Sequence, residues 1–124
     1  MSISFTKPLS PALFDDIARG HAERVASADR SVNKATQLRR FYDEIVMWET
    51  RVSQQPPEKF ADFLPLIRML NAKAAYAQGR KLVDTTFSTL LQETLKEVKD
   101  SESMTHCKHF WEAFTGFYKL QRSD

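Results

Sequence analysis

The chain is poor in the residues that staple a fold, hinge it or carry it across a membrane. It has one cysteine, Cys107, among 124 residues. A single thiol cannot close an internal disulfide or build a Cys-rich zinc site, and it fits a reducing cytoplasm. Glycine occurs three times, and no GxGxxG, P-loop, GxSxG or HExxH pattern is present. No apolar run approaches the ~18 residues of a membrane span. The start, MSISFTKPLSP, lacks the apolar h-region of a secretory signal, so no membrane partner is expected. No segment alternates apolar and polar residues with β-branched enrichment, which argues against strands. There is no internal repeat and no low-complexity segment. The net charge is only +2, so any affinity for anions must come from where the charges sit.

What is present is the material of a core. Hydrophobic residues make up 42%, including nine Phe, two Trp and three Tyr, a globular composition rather than a disordered one. This length makes one domain that buries roughly two-thirds of its unfolded surface. Apolar residues recur at helical spacing throughout. Residues 1–9 read as a lead-in. Ser10 and Pro11 open a helix with Asp15 and Asp16 near its positive end, running to about Ser27. A second helix is capped by Asn33 and runs to about Ser53, with Leu38, Phe41, Tyr42, Ile45, Trp48 and Val52 inward. Pro56 and Pro57 force a turn. A third helix carries Phe60 and Phe63 inward, with Pro65 kinking it or separating it from a long helix 65–81. Asp84 or Thr85 caps the next, which ends near Lys99. Ser103 caps the last, whose inward stripe is Cys107, Phe110, Trp111, Phe114, Phe117 and Tyr118. The prediction is an all-α fold: a compact bundle of five to six helices in a single helical domain, 1–124, with 122–124 as a tail.

Charge is interspersed everywhere but in one place. From Phe63 to Lys81 there are four basic residues (Arg68, Lys73, Arg80, Lys81) and no acid. Leu66, Ile67, Leu70, Ala74 and Ala77 form one face of this helix. Met69, Lys73, Tyr76 and Arg80 form a stripe beside it. Lys73 falls among apolar neighbours and needs an anion: a carboxylate such as Asp43, Asp62 or Asp84, or a phosphate from a bound nucleic acid. Residue pattern alone places the ion pair first. A second basic group, Arg30, Lys34, Arg39 and Arg40, surrounds the start of the second helix. Adjoining in the bundle, the two groups would make a groove for a phosphate backbone, with Tyr42 and Tyr76 as stacking surfaces.

Catalytic chemistry has little support. His106, Cys107 and His109 invite a metal reading, but one helical turn supplies too few ligands and Cys107 opens the inward stripe. The reading is of a non-enzyme with no cofactor and no metal.

Three segments resemble a known family. Thr36-Gln37-Leu38-Arg39-Arg40-Phe41-Tyr42 is similar to the S/T-Q-L/I-R-K-F-Y signature of the small subunit of the type III-A CRISPR effector, the Csm complex. Leu66 to Arg80, LIRMLNAKAAYAQGR, resembles that family's K-x-x-Y-x-x-G/A-R helix. HFWEAFTGFYK resembles its closing aromatic helix. Together they cover most of residues 31–120 in the right order. The resemblance implies a non-catalytic helical bundle present in several copies, stacked on other Csm subunits in the cytoplasm. It implies contact with target RNA, and so with the guide RNA–target duplex, largely without reading sequence. The RNA-binding residues expected are Lys34, Arg39, Arg40, Lys73, Tyr76, Arg80 and Lys81; Arg39 and Lys73 stay open between phosphate contact and internal ion pairs. The alternative is a purely structural protein–protein adaptor without nucleic-acid contact, using exposed side chains such as Met47 and Trp48.

Overall fold

The computed structural model describes residues 3–124. Among them are six α-helices and no strand. A π-helical turn at Leu13–Ile17 leads into α1 (Ala18–Ala26). It is followed by α2 (Ala35–Ser53), a 3₁₀ turn (Pro57–Lys59), α3 (Phe60–Arg68), α4 (Leu70–Gly79), α5 (Thr85–Lys96) and α6 (Ser101–Gln121). This is the all-α bundle that the helical periodicity predicts.

The helix ends differ from expectation in instructive ways. Asp84 caps α5 by accepting from the Phe87 N–H at 3.1 Å, as anticipated. Ser103 does not cap α6. Asp100 does, accepting from the Ser103 N–H at 2.7 Å, while the Asp100 N–H donates to Ser103 Oγ at 2.9 Å. This reciprocal pair is a capping box, and Ser103 is its inner partner. The N–H and hydroxyl of Ser103 hold the Asp100 carboxyl below its ordinary value.

Asn33 is not the cap of α2 either. Lys34 takes that position with extended backbone, and Asn33 is left-handed at φ 57° and fully buried. Asparagine tolerates that region, and here every polar group of the residue is used. Its N–H donates to Leu82 O at 3.0 Å. Its Nδ2 donates to Val25 O at 3.1 Å and to Asp84 Oδ1 at 2.8 Å, and its Oδ1 accepts from the Asp84 N–H at 3.0 Å. Its carbonyl accepts from the Tyr118 hydroxyl at 2.5 Å. One buried side chain thus ties the entry of α2 to the turn between α4 and α5.

Pro65 lies inside α3. The interruption falls four residues later, at Met69, whose ψ of −16° marks a tightened turn. Its N–H is shared between Pro65 O at 3.1 Å and Leu66 O at 3.3 Å. At the far end, α4 stops at Gly79, and Arg80 and Lys81 add no further turn. Lys81 is left-handed at φ 61°. Leu82 N donates to Ala77 O and Lys81 N to Gln78 O, both at 2.9 Å, a Schellman closure with lysine where glycine is usual.

The core is built on α6, which packs against α1 and α2. Its rings form a continuous column: Phe110 to Trp111 at 5.6 Å, Trp111 to Phe114 at 4.8 Å and Phe114 to Tyr118 at 5.3 Å. The Trp111 N–H donates to Thr94 Oγ1 at 3.0 Å, so the buried indole is satisfied. Cys107 is buried in the same stripe, and burial pushes its thiol up to about 12, which leaves it unreactive.

Both termini are better packed than the sequence indicates. In the lead-in, Ile3 and Phe5 are buried, and the Phe5 ring lies 6.2 Å from that of Phe110. In the tail, Arg122 is 2% exposed. Its guanidinium donates to the carbonyls of Ala26 (3.3 and 3.1 Å), Ala28 (2.7 Å), Asp29 (3.1 Å) and Val32. The loop between α1 and α2 is thereby held by the end of α6.

Candidate nucleic-acid interface

Two helices supply the site with matching stripes. On α2, Gln37, Arg40, Phe41 and Glu44 fall at i, i+3, i+4 and i+7. On α4 and its cap, Lys73, Tyr76, Ala77 and Arg80 have the same spacing. Residues so spaced share a helix face. The two faces meet across an open groove of about 220 Å³ that these residues and Leu82 line. α4 packs on α5 and α3, and the groove opens between it and α2. Asn33 fixes Leu82, one of the groove's lining residues, and Asp84 beside the start of α2. Phe41 and Ala77 are buried at its floor. Its volume is below that of a typical small-molecule pocket, and it opens at the surface.

Three cations and one carboxylate line this groove: Arg40, Lys73 and Arg80 against Glu44. Lys73 Nζ lies 2.5 Å from Glu44 Oε1. The anion predicted for Lys73 is present, but it is Glu44 rather than Asp43, Asp62 or Asp84. The lysine side chain is 50% exposed, more open than its wheel position indicates. Arg80 lies over the Tyr76 ring at 5.9 Å, and Tyr76 is 68% exposed. Among the described residues, neither Arg40 nor Arg80 has a carboxylate within ion-pairing distance.

The structure divides the expected set. Arg40, Lys73, Tyr76 and Arg80 come together. Arg39 does not join them. It lines a separate cleft of about 500 Å³ between α2 and α6, floored by Leu38, Trp111, Phe114 and Tyr118. There it pairs with Asp43 at 3.1 Å and lies 5.7 Å from the Tyr42 ring. Arg40 borders both hollows and so stands on the ridge of α2 between them. Lys34 and Lys81 are exposed and line neither. Glu44 and Gln37 belong to the groove and were not singled out from the sequence. Their signal was the i, i+3, i+7 relation to Arg40.

Leu66, expected inward, is 46% exposed, and Met69 is 53% exposed. Ile67, Leu70, Ala74 and Ala77 take the inward positions, so only a narrow strip of this arm is covered. Trp48, expected at the surface in the adaptor reading, is half-buried between the Phe63 ring at 6.3 Å and Arg51 at 5.2 Å. His109 stands edge-on to Phe14 at 5.8 Å. Among the described residues, no three His, Cys, Asp or Glu side chains cluster as metal ligands would. No helix of the described residues is long and apolar enough to cross a membrane.

The Csm2 Type III-A family model matches residues 12–124. The chain belongs to the Csm2 family. It is therefore a small subunit of a type III-A CRISPR effector complex, and its partners include the other subunits of that assembly. The match spans α1 to α6 and the whole groove, and leaves residues 1–11, with the buried Ile3 and Phe5, outside it. No curated protein and no solved structure matches.

Proposed function

We propose that this Csm2 chain is a non-catalytic subunit that holds the backbone of target RNA, alone or paired with guide RNA, along the α2–α4 groove. The observation that carries this reading is the convergence of Arg40, Lys73, Tyr76 and Arg80 from two separated segments into one open groove, with neither Arg40 nor Arg80 ion-paired among the described residues. Arginine forks suit phosphate oxygens, and an exposed tyrosine beside them offers a base a face to stack on. The groove lining holds no cysteine, serine or histidine that would serve as a nucleophile or base, which supports binding without chemistry. With three cations and one carboxylate the local charge is small, so useful affinity requires several copies acting on one strand. The exposed Leu66, Met69 and Leu120 side chains support contacts with neighbouring subunits, further copies of this chain included. The subunit works in the cytoplasm, where Cys107 would stay reduced.

The test is the double variant Arg40→Ala/Arg80→Ala in the reconstituted complex, with target-RNA affinity measured across a salt series. Each lost phosphate contact should flatten the slope of log K against log salt by roughly 0.7–0.9, so the double variant should flatten it by about 1.5 per site engaged. The single variant Lys81→Ala, outside the groove, should change the slope less. Unchanged affinity and slope in the double variant would overturn the proposal.

A further inference from the structure

We infer that Glu44 is an internal competitor of phosphate: a carboxylate that engages Lys73 across the groove and sets how weakly each copy grips RNA. This rests on the RNA reading above and deepens it. The contact is tertiary, joining α2 to α4 across 29 residues, with Lys73 Nζ to Glu44 Oε1 at 2.5 Å. It is also accessible, since the side chains are 50% and 32% exposed. The groove therefore does not need this pair for its fold, because ion pairs at such exposure contribute little to stability.

Glu44 stands where a phosphate oxygen would meet Lys73, within one lining shared with Arg40 and Arg80. Arg40, four residues before it on the same helix face, carries no ion pair among the described residues. A strand entering this groove finds two arginines open and the lysine engaged. It must either displace the carboxylate from Lys73 or bind with that cation unavailable. In both cases a fixed negative charge faces the incoming phosphates. Elsewhere on α2 the same arrangement is local: Asp43 holds Arg39 one turn away on its own helix. Among the described residues, the Glu44 pair is the one ion pair that crosses the groove. The consequence is a low single-copy affinity and ready release of the strand.

The decisive variant is Glu44→Gln, which keeps a hydrogen-bond acceptor for Lys73 and removes the charge. Removing one negative charge at roughly 6 Å from a phosphate, at an effective dielectric of roughly 40–80, predicts three- to tenfold tighter binding per site. The freed lysine should steepen the salt slope by roughly 0.7–0.9. The measurement uses the reconstituted complex and a labelled target RNA across a salt series. Glu93→Gln on α5, outside the groove, is the control for the same change in net charge. Tighter binding with a steeper slope for Glu44→Gln, absent in Glu93→Gln, supports the inference. Unchanged or weaker binding by Glu44→Gln overturns it, as does equal tightening by Glu93→Gln. These outcomes are distinct from failure of the RNA reading itself, which shows as indifference to Arg40→Ala/Arg80→Ala. A thermal melt of the isolated Glu44→Gln chain checks that it folds as the unaltered one does.

Discussion

Replacing Arg122 with methionine should be among the most damaging single changes in this chain. Methionine keeps much of the aliphatic bulk and removes every donor. Four carbonyls of the α1–α2 loop then lose their partner: Ala26, Ala28, Asp29 and Val32. A hydrogen bond from a charged group contributes roughly 1.5–3 kcal/mol net. The contacts to Ala28 and Val32 are the short ones, and those to Ala26 and Asp29, at 3.1 Å or longer, add less. Relief from burying the guanidinium offsets part of the loss. The expected destabilisation is about 2–4 kcal/mol, a large fraction of the ~5–15 kcal/mol available to a domain. At roughly 4 °C per kcal/mol for a chain of this size, the melting temperature should fall by about 8–16 °C. Urea denaturation followed by circular dichroism measures it, with the midpoint moving and the slope m preserved. Arg122→Lys should fall between the two, since one ammonium cannot reach four carbonyls at once. A loss below about 0.5 kcal/mol for Arg122→Met would show that the loop carbonyls are as well served by water, and the reasoning would fail.

Two further outcomes follow from backbone and capping. Lys81→Gly should stabilise the chain by roughly 1 kcal/mol, because glycine adopts the left-handed position at φ 61° without a side-chain clash; a rise in urea midpoint checks it. The Asp100 carboxyl is held below its ordinary value of 3.8 by the Ser103 N–H and hydroxyl. Its folded value thus lies beneath its unfolded one, so its stabilisation is present above about pH 5 and is lost as pH falls through the folded value. Asp100→Ala should accordingly lose about 1 kcal/mol at neutral pH and show a shallower decline of stability in acid. A decline as steep as that of the unaltered chain would contradict the cap.

The aromatic helix shows how far sequence reading reaches. Cys107, Phe110, Trp111, Phe114 and Tyr118 are all buried as their spacing requires, and Phe117, at the edge of the stripe, is half-buried under Arg19. Periodicity identifies a buried face because burial itself imposes the period. Asp84 was legible for a similar reason, since its cap is local. Asn33 was not, because asparagine favours both a cap and a left-handed turn, and only contacts with Leu82, Asp84 and Tyr118 decide between them. Arg122 looked like tail because its acceptors lie 90 to 96 residues away. In the groove, a basic stripe with one aromatic was visible on α4. The partner of Lys73 was not, since Asp43 and Glu44 are adjacent in sequence and the direction of the α2 helix assigns one to each side. Arg39 and Arg40 divide in the same way. One residue along a helix is a turn of about 100°, which here separates the groove from the α2–α6 cleft.

The clasp on the α1–α2 loop also has a timing. Its four acceptors, the carbonyls of Ala26, Ala28, Asp29 and Val32, precede the Arg122 donor by 90 to 96 positions. At ribosomal speeds of about 5–20 residues per second, that interval is on the order of 5–20 s. Until Arg122 has been made, those four carbonyls have no guanidinium to gather them, so the clasp cannot form while residues 26 to 32 are new.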